Sequence, residues 1–212
     1  MHLPGHTRHS LSGTHWKAGQ FEEWGVCNFS VPELESILTI CTARGYAKPS
    51  VFQGPYNLLD RAFERTLIPL LRAHGMRLAA HSPLAGGFLT GKMLPGATAA
   101  APAPVLSHFD PAWALSSYYT KRYVPMAPAL AELQAFVGAR GLTLREVAYR
   151  WLQHHSAMGP GDHGLVVGVR SREQLESTVA ECEKGPLPED VVGACEELWE
   201  KVRGIAKEGW EP

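Results

Sequence analysis

The chain is 212 residues long with a mass of 23.2 kDa, enough for one good core and for one domain or at most two. A formal charge of −1 and a pI near 6.8 give no general electrostatic reason to expect nucleic acid or an anionic membrane as partner. No apolar run is long enough to span a bilayer, and the first residues lack a basic-then-hydrophobic leader.

Cys27, Cys41, Cys182 and Cys195 are widely spaced, which suggests neither a zinc knuckle nor a disulfide framework. A cytoplasmic protein with reduced thiols is the expectation. His154 and His155 are adjacent and cannot share a helical face, so no metal site is expected.

Residues 1–20 show no clear period, and Met1 to His6 reads as a turn. Gly25 to Phe29 reads as a short strand. Ser30 then caps a helix with Pro32 early and Glu33 three residues after the cap. Leu34, Ile37, Leu38 and Cys41 form its apolar stripe, and Gly45 ends it. Ser50 to Gln53 is the next strand. A second helix opens at Asp60 or Arg61, presents Phe63, Leu67, Leu70 and Leu71 on one face, and closes at His74-Gly75. Arg77 to Ala80 is the third strand. Strand, helix, strand, helix, strand with short connections is the signature of parallel α/β winding.

Met93 to Pro111, rich in alanine and proline, breaks that rhythm and reads as an excursion, not a domain linker. Trp113 to Tyr123 is aromatic and basic. Helices follow at about Ala127–Ala139 and Thr143–His155, the latter with Thr143 and Glu146 as a capping box. Leu165 to Val169 is a fourth, buried strand. Ser171 caps a helix carrying Leu175, Val179 and Cys182. Pro188-Glu189-Asp190 starts a last helix with Val192, Cys195, Leu198, Trp199 and Val202 inward.

The stretch from Arg77 to Lys92 organises the chain. A strand opens into a loop of small residues, Ser82 to Lys92, with a hydroxyl and a cation close by. Glycines let backbone N–H groups approach an anion, and lysine adds a point charge, so the loop suits a phosphate; an ordinary surface turn is the alternative. Asn28, Gln53, Ser82 and Gly168 to Ser171 stand at four strand ends, the pattern of a (β/α)8 active face. Each has a local explanation as a loop amide or a cap, but together they favour a ligand site.

Gly25-Val26-Cys27-Asn28-Phe29, Val51 to Asn57, Ser82 to Lys92, Tyr149 to Ser156 and Gly168 to Leu175 resemble the aldo-keto reductase family, closest to its aflatoxin-aldehyde-reductase-like subgroup. The resemblance covers about residues 20–205, in the family's order and spacing. It implies an α/β fold that is a partial (β/α)8 TIM barrel, about the C-terminal half, with four to five parallel strands. Residues 1–24 would be an irregular remnant of the fourth-strand region, 25–206 the partial barrel, and 207–212 a tail.

The resemblance also implies an NADP(H) site. Asn28 and Gln53 would bond the nicotinamide carboxamide. Ser82, Pro83, Leu84, Ala85, Gly86, Gly87, Phe88, Leu89, Thr90, Gly91 and Lys92 would wrap the pyrophosphate. Gly168, Arg170, Ser171, Gln174 and Thr178 would hold the adenosine end at a helix start. Arg170 and Thr178 depart from the usual serine and asparagine. His2 would be the catalytic histidine, with Gly5 in place of the motif's aspartate. The tyrosine, lysine and aspartate of the family's general-acid set have no counterpart. Tyr118, Tyr119, Tyr123, Lys121 and Arg122 offer poor substitutes. His81 stands where the family usually has an aromatic residue; it can stack, and it could exchange protons near pH 7.

Such a half-barrel leaves two strand edges and an apolar face uncovered, so a homodimer or other assembly is expected, with Trp16, Phe21 and Trp24 as candidates for covering the gap. Three functional readings stay open. The first is an NADP-dependent reductase of a small carbonyl compound. The second is a redox-neutral isomerase, cyclase or dehydratase using His2 or His81. The third is a non-catalytic truncated family member.

Overall fold

The computed structural model describes residues 19–94 and 107–206. Strands β1 (Gly25–Cys27), β2 (Val51–Pro55), β3 (Arg77–His81) and β4 (Gly164–Val166) form one parallel sheet in that spatial order. Helices α1 (Val31–Arg44) and α2 (Leu67–Ala73) connect the first three strands. Between β3 and β4 come α3 (Ser116–Tyr123), α4 (Ala127–Gly138) and α5 (Leu144–His154), and after β4 come α6 (Arg172–Cys182) and α7 (Glu189–Val202). This is the parallel α/β winding that the strand–helix alternation predicts.

Local chemistry sets the first unit. The Glu33 carboxylate accepts from the Ser30 backbone N–H at 2.8 Å and from its hydroxyl at 2.7 Å, while Pro32 sits in the first turn of α1. Gly45 then ends the helix in the left-handed region, φ 61°. Leu34, Ile37, Leu38 and Cys41 are buried in one core with Phe52 and Leu78, and α5 and α7 complete it with Val147, Trp151, Leu152, Val191, Cys195 and Leu198.

Five expectations are corrected. The second helix does not open at Asp60 or Arg61: a 3-10 turn covers Ala62–Glu64, and α2 starts only at Leu67. Tertiary contacts claim the side chains that would have begun it. Asp60 is buried under Arg122 and Tyr123, and Arg61 pairs with Glu64 and Glu196 at 2.9 Å each. The Arg61 guanidinium also stacks 4.6 Å from the Trp151 ring centroid and 5.5 Å from that of Trp199. On α2 it is Ile68 that joins Leu67 and Leu71 in burial, with Leu70 half-buried.

The Thr143–Glu146 box closes on one side. Thr143 Oγ1 accepts from the Glu146 N–H at 3.1 Å, but the Glu146 carboxylate is taken by Arg150 and Lys184, both at 2.7 Å. The fourth strand is shorter than Leu165 to Val169 and is not buried: Val166 is 41% exposed, because β4 is an edge strand. On α6 the apolar stripe faces out, with Leu175 at 44% and Val179 at 46% exposure. Thr178 and Glu181 face in, Thr178 near the Tyr149 hydroxyl and Glu181 paired with Arg145 at 2.7 Å, so polar contacts favour this helix rotation. On α7, Val191 takes the core position and Val192 is half-buried.

Of the residues suggested to cover the open side, Trp16 lies outside the described residues, as do positions 95–106 of the excursion and the tail from 207. Phe21 is half-buried. Trp24 packs beside the start of β1 with its indole N–H on the Ala47 carbonyl at 3.2 Å. Among the described residues β1 pairs only with β2, and β4 only with β3, so both outer edges are open.

Candidate functional site

The sheet register brings three strand ends level, since Cys27 pairs with Gln53, and His81 pairs with both Pro55 and Val166. Where the chain leaves the sheet, two residues with side chains take left-handed backbone: Asn28 at φ 58° and Ser82 at φ 56°. Each is held there. The Asn28 N–H donates to the Gln53 carbonyl at 3.0 Å, and Asn57 Nδ2 donates to the Ser82 carbonyl at 3.0 Å. Beside them the Cys27 thiol donates to Gln53 Oε1 at 3.6 Å, and burial raises the thiol's pKa.

His81 joins Asn28 to Ser82. Its Nε2 lies 3.0 Å from Asn28 Oδ1 and its Nδ1 2.9 Å from Ser82 Oγ. An amide oxygen only accepts, so Nε2 carries the proton, and Nδ1 takes the Ser82 hydroxyl proton. Desolvation pulls the His81 pKa down to about 4, so the ring is a neutral imidazole near pH 7. A neutral ring favours the stacking option for His81 over proton exchange near neutrality. Helix α3 brings the Tyr119 hydroxyl near the Ser82 side chain. Burial raises the Tyr119 pKa and Asp60 adds to the rise, while Ser82 and Arg122 oppose it.

The loop after Ser82 is glycine-shaped. Gly86 (φ 67°), Gly87 (φ 101°) and Gly91 (φ 74°) are all left-handed. A Cβ on Gly86 would lie 2.4 Å from the Tyr119 ring, whereas around Gly87 there is open space. Pro83, Ala85, Phe88 and Leu89 are buried and anchor the loop, with Leu84 half-buried beside them. The Thr90 hydroxyl donates to the Gly87 carbonyl at 2.7 Å, and Lys92 is exposed.

Helix α3 lies over this loop because of a buried ion pair. Asp60 accepts from Arg122 Nε at 2.9 Å and Nη2 at 2.5 Å, and from the Tyr123 hydroxyl at 3.0 Å. Burial pushes the Asp60 carboxyl up and the guanidinium opposes it. His108 is seated on Trp113 and Tyr119, both ring centroids 4.7 Å away, and lies near the Gly86 backbone. It also feels the charge of Arg170, which brings the loop after β4 to the same rim. There the Ser171 hydroxyl accepts from the Gln174 N–H at 3.2 Å, and Gln174 Oε1 accepts from the Arg170 N–H at 2.9 Å.

The structure thus gathers Asn28, His81, Ser82 and Gly86 at one sheet edge, with Gln53 beside them. Gly168, Arg170, Ser171 and Gln174 are exposed at the end of the neighbouring strand, whereas Thr178 is buried against Tyr149. His2 lies outside the described residues. Sequence reasoning gave His108 no role, quoted Asn57 only within a motif, and named Tyr119 only as a poor substitute for the family's general-acid set. The aromatic-basic stretch was the available signal, but its placement depends on the Arg122–Asp60 pair, 62 residues apart.

The model of the aldo/keto reductase family matches residues 15–200. An aldo-keto reductase of Pseudocercospora fijiensis is 41% identical over 192 residues, covering 89% of this chain and 63% of that protein. The human protein named aflatoxin B1 aldehyde reductase member 2 is 37% identical over 214 residues, covering 95% of this chain and 59% of its own length. The aldo-keto reductase pigE of Monascus ruber is 34% identical over 194 residues, 90% of this chain and 56% of that protein. The chain spans about three fifths of the length of the curated relatives it matches. Its four parallel strands are part of a (β/α)8 barrel, and the chain belongs to the aldo/keto reductase family.

Proposed function

We propose that this chain carries an NADP(H)-type site and reduces the carbonyl group of a small molecule. The supporting observation is the convergence of Asn28, His81, Ser82 and the left-handed Gly86–Gly87 pair on one rim of the sheet. The residues present fit the group. Asn28 and Gln53 offer amides to a carboxamide, open space at Gly87 and Gly168 admits close approach to phosphate, and Arg170 with the α6 start suits a negative ribose phosphate. Bound there, a nicotinamide would supply the hydride. The protein's own part is to orient it, exclude water on the α3 side and present a hydroxyl proton. A redox-neutral role for His81 is less well supported, since both its ring nitrogens are engaged and its pKa is low.

NADPH titration followed by tryptophan emission tests the site, with saturable quenching expected. Consumption of NADPH with a panel of aldehydes and ketones then tests the reaction. Aldehydes come first, because human relatives are named as reductases of aflatoxin B1 aldehyde. Absence of quenching at millimolar cofactor would dispose of the reading. We place the protein in the cytoplasm as part of the same reading; among the described residues no helix is long and apolar enough to cross a membrane. The reading also includes a homodimer or other assembly covering the open strand edges, supported by the exposed apolar residues of β4 and α6.

A further inference from the structure

Beyond its last sheet position the chain leaving β2 keeps hold of the chain leaving β3 for two more residues. The Tyr56 N–H donates to the His81 carbonyl at 3.2 Å, and Asn57 Nδ2 donates to the Ser82 carbonyl at 3.0 Å. The Asn57 backbone N–H is not free for this, because it turns back to the Asp60 carbonyl at 3.4 Å. Its side-chain amide supplies the rung instead. That amide has one usable orientation: Oδ1 accepts from the Leu59 N–H at 3.0 Å, which leaves Nδ2 for Ser82. Asn57 is fully buried, so water does not compete for either bond.

What the amide holds is a strained residue. Ser82 stands at φ 56°, where a side chain crowds the backbone, and its carbonyl also accepts from the nearby Ala85 N–H at 2.9 Å. Asn57 is a long-range tie on the same peptide, from 25 residues away, at the point where the glycine loop begins and the Ser82 hydroxyl meets His81. We infer that Asn57 is a positioning residue for the nicotinamide and diphosphate end of the cofactor, acting from inside the protein by keeping the Ser82 backbone left-handed. The inference rests on the NADP(H) reading above. Without a donor at position 57, the entry to the Ser82–Lys92 loop relaxes, while the Arg170–Gln174 end beyond β4 keeps its own Ser171 cap. A glycine at position 82 adopts φ 56° without strain, so it makes the tie dispensable.

The test is calorimetric titration of the full chain with NADPH and with adenosine 2′-monophosphate, on variants whose circular dichroism matches the native chain. Asn57→Ser keeps a hydroxyl for the Leu59 N–H but is too short to reach Ser82. Asn57→Asp, read at about pH 8, keeps the acceptor and loses the donor, and serves if the serine variant does not fold. Either should raise the Kd for NADPH about tenfold and leave that for adenosine 2′-monophosphate within about twofold. In a Ser82→Gly background the same substitution should raise the NADPH Kd by less than about threefold. An unchanged NADPH Kd in the folded variants overturns the inference and leaves the cofactor reading intact. So does an equal rise in both backgrounds, or an equal rise for the two ligands, which would mark general loosening of the fold. Failure of the native chain to bind NADPH overturns both.

Discussion

His81 is folded as a neutral ring with a pKa of about 4, below the ordinary histidine value of about 6.5. Above that ordinary value the folded and unfolded chains bind equal protons here, and the residue adds no pH dependence. As pH falls toward 4 the unfolded chain takes a proton that the folded one refuses, so stability drops through that window. Below about 4 the loss is complete. Urea unfolding at about pH 7 and about pH 4.5 should therefore show a fall in the midpoint for the native chain and a smaller one for His81→Phe. Equal falls in both would show that other groups account for the slope. From the sequence, the departure at His81 was visible, but its protonation state was not: that depends on burial and on bonds to Asn28 and Ser82.

Elements that depend on neighbouring residues were the legible ones. Ser30, Pro32, Glu33 and Gly45 define both ends of α1, and the apolar run from Leu78 to Ala80 defines β3. The second helix and the rotation of α6 were not legible. There Asp60, Arg61, Thr178 and Glu181 are used by partners far along the chain, and such pairings leave no periodic trace. The same distance effect hid the placement of α3 over the glycine loop, which makes a direct prediction. Gly86→Ala would drive a methyl group into the Tyr119 ring and force an alanine to φ 67°. A loss of roughly 2 kcal/mol or more in denaturant unfolding is expected, from overpacking and backbone strain together. Gly87→Ala meets open space and should cost only the strain, about 1 kcal/mol. Equal losses in the two variants would show that α3 does not press on the loop.

At the scale of the molecule, the described sheet ends at β1 on one side and β4 on the other. Beside β4, Val166, Val169, Leu175 and Val179 are 37–46% exposed, and Met158, Leu165, Val167, Thr178, Val179 and Cys182 help line a groove of about 620 Å³. An apolar strip along an unpaired strand favours association. Sedimentation of the pure chain should give a dimer or larger species, and Leu175→Glu with Val179→Lys should shift it toward monomer without unfolding it. A native chain that sediments as a monomer at all accessible concentrations would contradict the assembly.

Two consecutive residues, Asp60 and Arg61, reach in different directions. One grips α3 through Arg122 and Tyr123; the other is wedged between the indoles of α5 and α7. The roof over the glycine loop and the terminal helical layer therefore share a single two-residue clasp. Neither can come loose without tugging the backbone that seats the other, so the rim of the candidate site and α7 should melt as one cooperative body.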